Sequence, residues 1–334
     1  MPLNNFKVHI NTNNHMLYRR HLRIKVLQAL YSWHTGGIND VIRGEKQLLE
    51  SIDKLHDLFI FQLSFIVEIK RFAEIRIEEN KQKFYPTEED LNPNLHFIEN
   101  KVLIGIEQNN DFILSESKLK INWTDQSDMI LKFYNILKSK EFYKKYMAAS
   151  DKSIDADKRL IIKIVDQLMP DFELLKSYYE EKSVYYTDGY DLVTLLLIKF
   201  IENFSSKFNS QSSLPGIYKP SVGGVNEDRD FVKKLYKYVL RNDKELVDEL
   251  KTRTKNWEFE RIPIMDVIIL KMAITELQEM ETVPIKVTLN EYIEITKYFS
   301  TPNSKIFVNG VLDRLIREFK EDGRIKKMGR GLLE

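Results

Sequence analysis

Apolar residues recur every three or four positions through most of the chain, the spacing of helices that bury one face. From Tyr18 to His34 there is no Gly or Pro, and Leu22, Val26, Ala29, Leu30 and Trp33 fall at i, i+4, i+7, i+8 and i+11. This predicts a packed helix, ended by Gly36 and Gly37, which supply the left-handed conformation of a C-terminal cap. A long helix is expected next, from about Glu45 to Lys83, with Leu48, Ile52, Leu55, Phe59, Leu63, Ile66, Ile69 and Phe72 on one stripe and a solvated polar end at 78–83. Pro86 and the Asn92-Pro93-Asn94 turn break the pattern.

Residues 95–124 fit a short helix from Asn100 to Gln108 or a strand, and the helical neighbourhood favours helix. Helices are then predicted over 126–148, 157–181 with a break at Pro170, and 190–208. Residues 209–225 are rich in Ser, Pro and Gly and read as a junction. Two helices around Asn242-Asp243 follow, then a strongly apolar helix from Pro263 to Met280 that should be central core. Thr288 and Glu291 have the spacing of a capping box for a helix to Phe299, and Asn303 or Ser304 caps a last helix. Gly310 weakens that helix by about 1 kcal/mol relative to Ala, which suggests a close backbone contact there. No alternating strand set is present, so the predicted fold class is all-α. The segments beginning DKRLIIKIVDQL at Asp157 and DRDFVKKLYKYV at Asp228 align, either as a degenerate duplication or as two similar amphipathic hairpins.

Charge alters this picture at one place. The formal net charge is +1, yet residues 1–39 hold Lys7, Arg19, Arg20, Arg23 and Lys25 and no acid before Asp40. Arg19, Arg20, His21, Arg23 and Lys25 crowd the first turns of the first helix, where the helix dipole disfavours cations. Either a polyanion meets them or they form a solvated basic surface. The absence of cysteine excludes disulfides and thiolate chemistry and fits a reducing compartment, so a cytoplasmic location is expected. The longest apolar run, Leu192 to Ile201, is interrupted by Lys199 and falls short of the ~20 residues that span a bilayer, and no membrane association is expected.

Glycine is scarce, and no phosphate-binding loop, dinucleotide fingerprint, nucleophile elbow or HExxH is present. The histidines have no zinc-ligand spacing. Nothing in the sequence asks for an enzyme, a cofactor or a metal.

The segments PIMDVIILKMAITEL (263–277), VPIKVTLNEYIEITKYFS (283–300) and KIFVNGVLD (305–313) resemble the NusB family of transcription antitermination factors. RRHLRIKVLQALYSW (19–33) resembles that family's arginine-rich first helix. The resemblance implies an all-helical RNA-binding fold that recognises boxA-type RNA in nascent ribosomal RNA transcripts, with ribosomal protein NusE as partner in the elongation complex. It implies RNA contact by Arg19, Arg20, His21, Arg23 and Lys25 with Gln28 behind them, and by Lys305 and Phe307 at the start of the last helix. Phe307 stacks on an unpaired base or packs in the core. Tyr31 and Asp266 match positions that face NusE.

The chain departs from the family by its length between the first helix and Phe231. The expected division is a mobile arm over 1–14, a NusB-like core over 15–43 and 226–323, a helical insertion over 44–225 and a basic tail over 324–334, solvated or lengthening the RNA track. The rival expectation is a helical protein-interaction scaffold in which the insertion carries the function and RNA binding is lost or secondary.

Overall fold

A computed structural model describes residues 15–36, 40–221, 223–253 and 259–333. The arm expected over 1–14 lies outside the described residues. Fifteen α-helices follow one another among these residues: α1 (Arg19–His34), α2 (Val41–Lys81), α3 (Glu88–Leu91), α4 (Lys101–Glu107), α5 (Asn110–Lys118), α6 (Ser127–Ser139), α7 (Glu141–Ala148), α8 (Ile154–Gln167), α9 (Glu173–Lys182), α10 (Val184–Glu202), α11 (Glu227–Arg241), α12 (Asp243–Arg253), α13 (Ile264–Glu279), α14 (Ile285–Phe299) and α15 (Ser304–Glu321). There is no strand among the described residues, only a lone bridge between His15 and Gly216, so the fold is all-α. No helix among them is long and apolar enough to cross a membrane.

The chain forms two compact units, one containing Asp53–Ile217 and the other Leu17–Ile52 with Tyr218–Glu334. In the first unit, the part of α2 from Leu58 to Val67 is buried on every side, not on a single stripe. Phe61 meets Trp123, Tyr178, Tyr179 and Tyr186, and Phe65 stands edge-on to Phe133 with ring centres 4.9 Å apart. Aromatic side chains thus cluster around Phe61 and Phe65, and aromatic pairs of this kind are worth about 0.5–1.5 kcal/mol each beyond their buried area. Trp123 donates its indole N–H to Ser64 Oγ at 2.8 Å, and Ser64 passes a hydrogen bond to Glu116. Residues 101–107 are helical as expected, because Asn100 caps them through the amides of Val102 and Leu103.

A second clasp in this unit centres on Asp157, which is 2 % exposed. Its carboxylate accepts the Tyr146 hydroxyl at 2.6 Å and the Lys101 backbone N–H at 2.9 Å, joining α8 to α7 and to the start of α4.

The other unit is organised around α13. Every residue from Asp266 to Leu277 is buried, and α1, α11, α12, α14 and α15 pack against it. Helix α1 ends as its glycine predicts: Gly36 has φ +89° and donates to Trp33 O.

Several expectations require correction. Helix α2 begins at Val41, because Asp40 caps it through the amides of Ile42 and Arg43. Helix α10 begins at Val184 and ends at Glu202, because Ser183 caps it through the amide of Tyr185. Thr288 and Glu291 do not form a capping box; α14 starts at Ile285, and both side chains bind partners on other helices, described below. A Cβ at Gly310 would meet nothing within 4 Å, so no close contact explains that glycine.

The tail is not a frayed end. Arg324 lies over the Phe319 ring at 4.1 Å and pairs with Glu249, and Met328 donates its backbone N–H to Glu281 O at 3.0 Å. Lys327 donates Nζ to the carbonyls of Glu276 and Met280, satisfying acceptors at the C-terminal end of α13. Burial brings the Lys327 pKa down to about 8, against the opposing pull of Glu276 and Glu281. Gly331 is buried against the Glu281 backbone, where a Cβ would overlap the carbonyl oxygen. Gly331→Ala should therefore undock the tail, since a backbone atom cannot move aside as a flexible side chain can. Limited proteolysis should cut the variant within 324–333 well before wild type; equal protection would contradict this.

Candidate nucleic-acid interface

Three arginines on α1 point to three different neighbours. Arg19 donates Nε to Asp228 Oδ1 at 3.1 Å and lies over the Phe231 ring at 4.7 Å, both on α11. Asp228 is itself buried and accepts the Lys219 backbone N–H. Arg20 grips Glu291 on α14 through two parallel hydrogen bonds of 2.7 and 2.8 Å. Their side chains remain 23 % and 26 % exposed. The hydrogen bonds that Arg20 donates to Glu291 raise its pKa above the ordinary value despite partial burial. Both residues are held in place at the surface.

Arg23 is turned inward. It is 1 % exposed and donates Nε and Nη2 to the Glu276 carboxylate at 2.8 and 2.6 Å. Glu276 is fully buried and also accepts the hydroxyls of Thr288 and Tyr292. Burial opposes ionisation of Glu276, but Arg23 and the two hydroxyl donors outweigh it and hold the carboxyl below its usual range. This bidentate pair fastens α1 to α13 and α14. A guanidinium so placed does not present itself to a phosphate, contrary to the role expected of Arg23.

The other expected residues divide in the same way. His21 and Lys25 are buried, and His21 Nδ1 accepts the Tyr18 backbone N–H at 3.2 Å. Gln28 and Phe307 are half-buried, Lys305 is exposed and Tyr31 is 40 % exposed. Asp266 is 1 % exposed, with an Oδ1 that has no hydrogen-bond partner. It sits in the first turn of a helix wrapped by five others, so its carboxylate does not face outward as a partner contact requires. The acids that position the arginines, Asp228, Glu276 and Glu291, escape a reading of the sequence because each lies more than 200 residues from its partner.

Fold and site together define an all-helical bundle whose central helix is clasped by an arginine-rich first helix with cations left at the surface. The NusB family model matches residues 211–317. The transcription antitermination protein NusB of Salinibacter ruber is 43 % identical over 125 residues, covering 37 % of this chain and 78 % of that protein. The transcription antitermination protein NusB of Chloroherpeton thalassium is 37 % identical over 119 residues, covering 36 % of this chain and 56 % of that protein. The chain belongs to the NusB family. No solved structure matches it.

Proposed function

We propose that this chain is a transcription antitermination factor that binds boxA-type RNA of nascent ribosomal RNA transcripts together with NusE, without catalysis. The observation that carries the reading is the placement of Arg19 and Arg20. Both are partly exposed on a helix end where the dipole disfavours cations, and each is oriented by an acid on a neighbouring helix. Lys305 and the half-buried Phe307 open the last helix as a further cation and a stacking surface. Exposed Tyr31 serves the protein partner.

In a salt series with a short boxA-type single-stranded RNA and a scrambled control, each with and without NusE, binding should favour boxA, strengthen with NusE and weaken steeply with salt. Arg19→Ala with Arg20→Ala should lower RNA affinity at least tenfold, measured well below the melting transition of the variant. Arg20→Ala removes a partly exposed pair worth about 0–1 kcal/mol, whereas Arg19→Ala leaves the buried Asp228 carboxylate with only the Lys219 amide and costs stability as well. Unchanged affinity in the double variant would defeat the reading.

One observation favours the scaffold reading for the unit containing Asp53–Ile217. Phe84 and Tyr85, in the turn after α2, are 87 % and 84 % exposed and pack on each other edge-on at 4.7 Å. Exposed aromatic pairs of this size commonly anchor protein interfaces.

A further inference from the structure

The C-terminal tail lies beyond the residues matched by the family model. Its docking through Lys327 and Met328 carries Arg330 back to the start of α11. There Arg330 Nη2 is 3.4 Å from Glu227 Oε2, and the same oxygen is 3.7 Å from Arg19 Nη2. Two guanidinium groups from opposite ends of the sequence thus converge on one anionic oxygen. The site is open to solvent: Arg330 is 71 % and Glu227 54 % exposed. Arg19 Nε is engaged separately by buried Asp228, which fixes the guanidinium with its Nη2 directed at Glu227.

We propose that Arg19 and Arg330 form a two-arginine clamp for a backbone phosphate of RNA, and that the Glu227 carboxylate occupies the phosphate position until RNA displaces it. The proposal rests on the RNA-binding reading above. Planar guanidinium groups bind phosphate oxygens through paired N–H donors, and a phosphodiester offers two anionic oxygens where Glu227 shares one. Exposed ion pairs are weak and screened, so the carboxylate is a readily exchanged occupant. Exposed Lys326 lies on the same tail and adds to the local positive charge. The tail then serves as a built part of the RNA surface, present because Lys327 and Gly331 fix its path.

The test titrates full-length protein against a short boxA-type single-stranded RNA over a salt series, alongside thermal unfolding. Arg330→Ala should weaken binding about three- to tenfold at low salt and reduce the slope of log K against log salt by about 0.7, with an unchanged melting temperature. Glu227→Gln should tighten binding severalfold. Arg19→Ala combined with Arg330→Ala should cost less than the product of the single effects, because both act on one phosphate. Arg159→Ala, an exposed arginine of the other unit, should match wild type. If Arg330→Ala and Glu227→Gln leave affinity unchanged while Arg19→Ala with Arg20→Ala lowers it, the clamp is wrong and the RNA reading stands. If none of these changes affects binding, the RNA reading itself fails. Weaker binding by Glu227→Gln would overturn the clamp by showing that the carboxylate positions the arginines.

Discussion

Arg23→Ala should destabilise the unit built around α13 by about 3–5 kcal/mol, the usual cost of removing one partner from a buried ion pair. The variant strands the Glu276 carboxylate in a site with no access to water, since Glu276 is fully buried and keeps only the Thr288 and Tyr292 hydroxyls. It also empties the space beside Phe231 and Tyr292, whose rings lie 5.2 and 5.8 Å from the guanidinium. Denaturant unfolding monitored on this unit reads the loss directly, and a change below about 1 kcal/mol would show that the pair is not fully desolvated. Arg23→Met with Glu276→Leu should recover most of the stability, because an apolar pair avoids the desolvation that the ion pair must overcome. Recovery will be incomplete, since Thr288 and Tyr292 then lose their acceptor.

The same site sets an acid limit. The Glu276 carboxyl has a lower pKa in the folded protein than in the unfolded chain, where about 4.3 is ordinary. Its contribution is therefore complete above the unfolded value and is lost as pH falls through the folded one. Wild type should lose stability below about pH 4 more steeply than Arg23→Met with Glu276→Leu.

Asp157→Ala should be the most damaging single change at a polar residue in the unit containing Asp53–Ile217, at roughly 3 kcal/mol or more. Two donors lose a charged acceptor at once, the Tyr146 hydroxyl and the Lys101 amide, and hydrogen bonds to charged groups are worth about 1.5–3 kcal/mol each. Tyr146 then has only its longer contacts, to Asn100 and to the His96 carbonyl, both at 3.3 Å. Asp157→Asn should cost less, since an amide oxygen can still accept one of the two. If Asp157→Ala and Asp157→Asn are equally mild, the carboxylate is dispensable and apolar packing alone holds α7 and α8 together.

The aligned aspartates Asp157 and Asp228 are both buried, and each accepts a backbone N–H and a side-chain donor. One tethers Tyr146 and the other Arg19. The likeness in sequence corresponds to a likeness in task, joining an amphipathic helix to preceding chain, and it suits either a duplication or two convergent hairpins.

Helical periodicity is a local property, repeated within a few turns, and the sequence by itself therefore determined the all-α class, the arginine-rich first helix and the apolar central helix at 264–279. The family resemblance was legible for the same reason, being carried by contiguous runs. Caps are partly legible: Gly36 announces its turn, whereas Ser183 and Asp40 carry no such mark, because the residue just after each is exposed and the buried apolar stripe that locates each helix begins later, at Tyr186 and Leu48. The partner of each arginine was not legible. Arg19, Arg20 and Arg23 look alike along α1, and nothing local distinguishes the one drawn into the core by its acid from the two that stay partly exposed. Thr288 and Glu291 have a capping spacing, but charged partners, Glu276 on α13 and Arg20 on α1, bind them more strongly than a helix end would. The tail has the composition of any basic terminus, and its docking depends on distant groups, the C-terminal carbonyls of α13 that receive Lys327 and the Glu281 backbone that receives Gly331. Only the tertiary structure decided which cations face outward, because burial and ion pairing depend on groups hundreds of residues apart, and a charge buried away from water is tolerated only where its partner is brought to meet it.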